Sequence, residues 1–333
     1  MPAEESSHAP PNQAVVWLQK TFGPCRLEVC GSQHARSQVW RVWAEKADSE
    51  PASKLLEASG KSATQWQGKK QLCHSMANPE TQLNQALPLA YLKLYASERS
   101  FAQANHAYTK LANAELPAKL PCILAREDSM RGLLLSPCLG DSIAGYGSAE
   151  QHRAAGSFLA AMHRLPLEDT DPMPLRQALQ KRCAATTRAI RERAAGSDEA
   201  MLAERVDTVL AEILPRLATT QRVFCHLDFV PRNWLWNEEL REGSLSVIDF
   251  EHAKPDLWLA DMARIQNECW RHSPALADAF WDGYGAKLSR SEQEIFDACG
   301  VLEAWGTVAW GLQADDAVYL EKGRANLAYW VKR

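Results

Sequence analysis

Two short apolar runs in the second half of the chain, 223–227 and 245–250, constrain its fold more than any other feature. Each is too short for a helix and is bounded by polar residues, so both read as buried strands inside a region that is otherwise helical in its periodicity. A loop and a β-like Asn-Trp-Leu-Trp piece at 233–236 lie between them. Asp228 directly follows the first run, and Asp249 lies near the end of the second.

The rest of the chain divides around this element. Residues 1–13 are a polar, Pro-containing leader, after which Val15 to Leu18 open a short helix that Gly23-Pro24 stops. Branched and aromatic residues predict strands at 26–30 and 38–43, with Gly31-Ser32 as the turn between them. Residues 44–88 turn polar and read as an insertion, within which 51–58 is the candidate helix. A strand at 89–95 carries Lys93, and a helix at 100–112 places Phe101, Ala104, Tyr108 and Leu111 on one face. Strands at 122–125 and 132–136 lead to a break at 137–140. Ser148 and Gln151 form a capping box at the start of a helix that ends at His163-Arg164-Leu165-Pro166. Further helices are predicted at 174–194, 199–215, 258–270, 275–284, 291–306 and 314–330. The expected class is α+β: a strand-rich N-terminal lobe over 14–136 and a mainly helical C-terminal lobe over 137–333.

Composition narrows the function classes. The 333 residues are 46% hydrophobic and 23% charged, as in ordinary globular proteins. With 37 basic against 41 acidic residues, net −4, there is no broad basic field for nucleic acid or acidic lipid, although a local basic groove stays open. No run approaches the ~18 apolar residues of a membrane span, and the leader has acids where a signal peptide has positive charge. A cytoplasmic protein is expected, with no membrane and no nucleic-acid partner. Nine cysteines, odd in number and scattered, read as small buried hydrophobes of a reducing compartment.

The chemistry lies in Cys225-His226-Leu227-Asp228-Phe229-Val230-Pro231-Arg232-Asn233, followed by Val247-Ile248-Asp249-Phe250-Glu251. His-x-Asp-x-x-x-x-Asn followed by Asp-Phe is the arrangement of a kinase catalytic loop. Phosphoryl transfer asks for one carboxylate at the incoming hydroxyl and two oxygen ligands that hold magnesium across the phosphates.

On these residues the chain resembles the aminoglycoside phosphotransferase and choline kinase family of small-molecule kinases, most strongly over 130–265. Supporting pieces are 134–140 (Leu-Leu-Ser-Pro-Cys-Leu-Gly), which looks like the family's hinge, Met162-His163-Arg164-Leu165-Pro166, which looks like Leu-His-x-Leu-Pro, and Asp261-Met262-Ala263 in place of the Asp before Leu-Ala. The resemblance implies a bilobal protein-kinase-like fold, with the N-terminal lobe binding nucleotide. It also implies transfer of the γ-phosphate of ATP, or GTP, with Mg2+ to a hydroxyl of a small molecule: an aminoglycoside, an amino alcohol or a sugar-like metabolite. The alternative is a kinase-like nucleotide-binding or regulatory protein with weak or no transferase activity.

Carried over by resemblance, Asp228 is the catalytic carboxylate, and Asn233 and Asp249 are the magnesium ligands. His226 reads as a scaffold of the loop, with proton shuttling as the alternative. Arg232 is either a neutraliser of transition-state charge or a surface arginine, and Glu251 either approaches the metal or is solvated. Lys93 resembles the lysine on the α and β phosphates, the other reading being an edge-strand lysine that snorkels to water. Gly31 and Ser32 belong to a reduced phosphate-covering turn, and the backbone of Ser136 or Cys138 would meet adenine because Pro137 lacks an N–H. Two departures stand out: Ala104 occupies the position of the helix Glu that pairs with the lysine, with Gln103 or Glu98 as substitutes, and Leu227 replaces the common Gly, a larger side chain that is compatible with the loop if it points into the core. Trp305 and Trp310, with Asp282, Asp315 and Asp316, are either a wall for a cationic acceptor or core packing and the solvated face of a helix that carries acids. Monomer and homodimer both stay open.

Overall fold

A computed structural model of the chain describes residues 10–30, 37–44, 88–167, 175–193, 222–240 and 244–331, with a few isolated positions between 206 and 215. Gly31, Ser32, the candidate helix 51–58 and most of the predicted helix 199–215 lie outside the described residues. Two compact units emerge, one of Met1–Ala114 with Leu120–Cys138 and one of Glu115–Lys119 with Leu139–Arg333.

In the first unit α1 (Asn12–Phe22) buries Ala14 and Leu18 and ends at Gly23, whose φ of 80° suits a residue without Cβ. Strands β1 (Cys25–Val29), β2 (Ser37–Ala44) and β3 (Ala90–Tyr95) are followed by α2 (Glu98–Leu111), β4 (Ile123–Glu127) and β5 (Gly132–Leu135). All strand pairs are antiparallel, in the order β1-β2-β3-β5-β4. The expected strands hold to within a residue or two, because alternating branched and aromatic residues report directly on a sheet with one face in the core. That core joins Ala14 and Leu18 to Trp40, Val42, Leu92 and Leu134. Ser97 caps α2 by accepting the Ser100 N–H at 3.0 Å, and Phe101, Ala104, Ala107, Tyr108 and Leu111 form its buried face.

The second unit begins with a segment that local sequence does not reveal. Lys119 donates its N–H to the Leu245 carbonyl and accepts the Val247 N–H, both at 2.9 Å, so 115–119 joins this unit although it precedes β4 in the chain. Then come β6 (Asp141–Ser142), α3 (Ala149–His163), α4 (Leu175–Arg193), β7 (Arg222–Cys225), β8 (Trp234–Trp236), β9 (Leu245–Val247) and β10 (Lys254–Leu257). Helices α5 (Ala260–Ile265), α6 (Pro274–Tyr284), α7 (Arg290–Ala314) and α8 (Ala317–Val331) complete it, with a π-helical turn over Gln266–Trp270. The capping box at Ser148 and Gln151 is present.

Three expectations need correction. β10 was not expected, since Lys254, Pro255 and Asp256 break the apolar pattern; its antiparallel pairing with β7 supplies the order, and a two-stranded ribbon tolerates the proline. α7 continues past 306 to Ala314 and stops where Asp315 adopts a φ of 53°. Of the three acids weighed for a cation, two are cap residues: Asp315 terminates α7, while Asp316 Oδ1 accepts the N–H groups of Val318 and Tyr319 at 3.1 and 3.0 Å, and Asp282 lies within α6. Trp305 is only 1% exposed and donates to Thr187 Oγ1 at 3.2 Å, so it is core and not a wall.

Helices α3 and α6 approach closely through two glycines. A Cβ on Gly156 would fall on the Phe280 carbonyl oxygen, and one on Gly283 on the Arg153 carbonyl oxygen. Both obstacles are backbone atoms that cannot turn aside. Gly156→Ala should therefore destabilise the protein by about 2–3 kcal/mol as overpacking, read as a lower denaturation midpoint. An unchanged midpoint would mean that the helices separate without cost.

Candidate active site

The site is built around the path from β7 to α5. β7 delivers the chain into 226–230; a 3-10 turn, Pro231–Asn233, passes it to β8; the β8–β9 hairpin returns it to 248–253; and β10 closes back on β7. Proline at the first position of the 3-10 turn presets its φ. This route brings His226, Asp228, Arg232, Asn233 and Asp249 into one unit. Lys93, Ser136 and Cys138 lie in the other.

The loop is fastened from below by Asp261, which is 1% exposed. Its carboxylate accepts the His226 N–H at 2.8 Å, the Leu227 N–H, and His163 Nε2–H at 3.0 Å. Tyr284 in turn donates its hydroxyl to His163 Nδ1 at 2.8 Å. Leu227 has a φ of 62°, the left-handed region, and is half-buried. That angle is one a glycine adopts without strain, which suits the common Gly at this position. His163, Cys225 and Asp261 are the one group of metal-capable side chains close together among the described residues. Burial pushes the Cys225 thiol well up, and it bonds to the Leu257 carbonyl at 3.5 Å, so the three form a hydrogen-bonded support.

His226 is fully buried with both ring nitrogens committed: Nε2–H donates to the Ile248 carbonyl at 3.0 Å, and Nδ1 accepts the Asp228 N–H at 3.2 Å. It shapes the loop, and no ring nitrogen is left to shuttle a proton. The Ile248 N–H donates to the Asn233 carbonyl at 3.0 Å. Ile248 is thus clasped between His226 and Asn233, and Asp249, with a φ of 70°, follows immediately.

Asn233 Nδ2 donates to the Asp228 backbone carbonyl at 2.8 Å and to Asp228 Oδ2 at 3.0 Å. With the NH2 end so engaged, its amide oxygen faces away from Asp228. That oxygen and the half-buried Asp249 carboxylate are hard oxygen donors, the set that suits magnesium. Glu251 is 5% exposed, so its solvated alternative is excluded; Oε1 lies 3.6 Å from His252 Nε2.

Asp228 Oδ1 takes two guanidiniums, Arg264 Nη1 at 2.6 Å and Arg232 Nη2 at 2.7 Å. Burial alone would push this carboxyl up, but the two arginines outweigh it and hold it well below the usual carboxylate range. Arg232 also meets Glu268 at 2.8 Å, and its side chain is 44% exposed, so it combines the surface position with contact to the acid. Arg264 had no signal in local pattern, because its role depends on α5 turning under the loop.

In the first unit Lys93 sits on β3, the middle strand, opposite Val39 and Leu133, and is 6% exposed. The edge-strand reading is therefore excluded. Its Nζ lies 5.0 Å from the Tyr95 ring centroid. Ala104 is fully buried on α2, and Glu98 is exposed in the field of Arg126. Ser136 donates its N–H to the Cys122 carbonyl at 2.9 Å and accepts the Cys122 N–H on its hydroxyl at 2.8 Å. That withdraws the Ser136 N–H as a donor to adenine.

A model of the phosphotransferase enzyme family matches residues 90–295, more than half of the chain. The chain belongs to this family. Its expected α+β, kinase-like fold is also that of solved family structures. A GDP and kanamycin complex of APH(2")-IIIa has a TM-score of 0.66 at 12% identity, covering 96% of this chain and 98% of that one. A gentamicin complex of APH(2")-IIa has a TM-score of 0.64 at 14% identity, covering 96% of each chain. A Plasmodium vivax ethanolamine kinase has a TM-score of 0.56 at 15% identity, covering 96% of this chain and 83% of that one. No curated protein matches the chain. No helix among the described residues is long and apolar enough to cross a membrane.

Because Asp261 satisfies the N–H groups of His226 and Leu227 at once, Asp261→Ala should cost about 3 kcal/mol or more and abolish with it any phosphotransfer the loop performs. A thermal melt checks the first and a turnover assay the second. Wild-type stability in this variant would remove Asp261 as the fastening of the loop.

Proposed function

We propose that this member of the family transfers the γ-phosphate of a nucleoside triphosphate, ATP or GTP, to a hydroxyl of a small molecule. The observation that carries the reading is the Asn233 amide, whose NH2 is spent on Asp228 at 2.8 and 3.0 Å, so that base and oxygen ligand are set by one interaction. Asn233 and Asp249 would hold magnesium, which when bound neutralises charge on the phosphates. Asp228 accepts a hydrogen bond from the acceptor hydroxyl and orients it. As the acceptor oxygen bonds to the γ-phosphorus, the bond from that phosphorus to the β–γ bridging oxygen breaks. The electron pair stays on the diphosphate, and the hydroxyl proton passes to the Asp228 carboxylate and then to water. Lys93 is assigned to the α and β phosphates, and the Cys138 backbone, with Ser136 committed, to the adenine edge. Arg232 and its partner Arg264 keep positive charge at Asp228.

Neighbours named for gentamicin, kanamycin and ethanolamine make aminoglycosides and amino alcohols the first acceptors to try. The one feature that favours the alternative, a nucleotide-binding protein without transfer, is Ala104 in place of an acid.

Purified protein should consume ATP or GTP only with magnesium and one acceptor from a panel of aminoglycosides, amino alcohols and sugars. Asp228→Asn should lower kcat about 10²–10⁴-fold. Turnover that survives in Asp228→Asn would sink the reading. Silence of the wild type across the panel, with a magnesium-dependent thermal shift by ATP, would favour the alternative.

A further inference from the structure

Arg264 and Arg232 meet the same oxygen of Asp228 but are held differently. Arg264 lies on α5 with its side chain 19% exposed, and it reaches three carboxylates: Asp228 at 2.6 Å, Glu268 at 3.1 Å and Glu303 at 3.8 Å. Glu303 is itself fixed, since Oε2 accepts Asn267 Nδ2 at 2.5 Å and Oε1 accepts the Thr307 hydroxyl at 3.1 Å. Asn267 continues the chain of bonds to the Gly300 carbonyl at 3.0 Å and to Trp330 Nε1 at 2.7 Å. Arg264 is thereby braced against α7 and α8. Arg232, 44% exposed, has only Asp228 and Glu268, and Glu268 is shared with Lys322 at 2.8 Å.

We propose that Arg264 is the positioning residue of the Asp228 carboxylate, assigning Oδ1 to the protein and leaving Oδ2 as the atom that meets the acceptor hydroxyl; this rests on the phosphotransfer reading above. A carboxylate offers about four lone-pair directions. At Oδ1 two are filled by guanidiniums, while among the described residues Oδ2 takes only Asn233 Nδ2 at 3.0 Å. Without Arg264 rotation of the carboxylate about its Cβ–Cγ bond is restrained only by Arg232, itself 44% exposed, and by Asn233, so the Oδ2 contact to Asn233 loosens. Arg232 cannot replace the brace, because its own anchor is the exposed side of Glu268.

The test compares wild type, Arg264→Met and Arg264→Lys by steady-state kinetics and by solvent exchange of the Asn233 side-chain amide protons in NMR. The amide exchange needs no turnover. In Arg264→Met, kcat should fall about 10²-fold with KM for the nucleotide unchanged, and the Asn233 amide should exchange faster. Arg264→Lys, which keeps the charge but reaches fewer carboxylates, should recover part of both. If Arg264→Met fails to fold, Arg264→Lys is read alone, and wild-type kcat with wild-type amide exchange overturns the proposal. A fall in kcat with the Asn233 amide unaltered in either variant also overturns it. Where no acceptor is turned over by the wild type, the phosphotransfer reading fails separately, and amide exchange alone decides on Arg264.

Discussion

The Asp261 carboxylate, accepting the backbone N–H groups of His226 and Leu227, is the interaction on which the rest of the site depends. A leucine in the left-handed region costs roughly 1–2 kcal/mol. Hydrogen bonds to a charged acceptor contribute about 1.5–3 kcal/mol each, so two of them outweigh the strain. The turn they enforce aims the Asp228 N–H at His226 Nδ1, and from there the 3-10 turn places Asn233 against Asp228. Remove the anchor and every later contact loses its reference point. His163, itself bonded to the Tyr284 hydroxyl, keeps the anchor in place by donating to the carboxylate.

Above that anchor the electrostatics follow a different logic. A buried carboxylate alone would neutralise itself, and Asp228 keeps its charge because Arg264 and Arg232 share it. Arg264 is kept charged in turn: burial opposes the charge, and Asp228, Glu303 and Glu268 together outweigh burial. Such a network makes Asp228 a weak base, which suits the proposed reaction. In a loose transition state little bonding to the acceptor exists when the barrier is crossed, so orientation of the hydroxyl matters more than the strength of the base.

How much of this was legible in the sequence depends on the range of the interaction. Periodicity and capping residues are local, and they placed the five strands of the first unit, the helix opened by Ser148 and the spacing of Asp228, Asn233 and Asp249. β10 escaped because Pro255 disfavours a strand in isolation and only β7 supplies the pairing. Arg264 escaped because an Arg-Glu pair four apart, here with Glu268, is common on any helix, and the partners that tie it to the site are 36 residues back at Asp228 and 39 ahead at Glu303. Asp315 and Asp316 misled for the opposite reason. Acids near tryptophans look like a cation site, yet the same residues are good caps, and the break between α7 and α8 uses them so.

Lys93 sets the same question of range in the first unit. The middle strand of a sheet is where an ammonium costs most, and Leu92 and Leu94 on either side show what packing alone selects there. Contact with the Tyr95 ring contributes about 0.5–2 kcal/mol, less than the several kcal/mol that burying an ion costs. Ala104 contributes no charge to it from α2. In the proposed reaction this ammonium is assigned to the phosphate chain of the nucleotide, the anion whose charge suits a lysine at this depth.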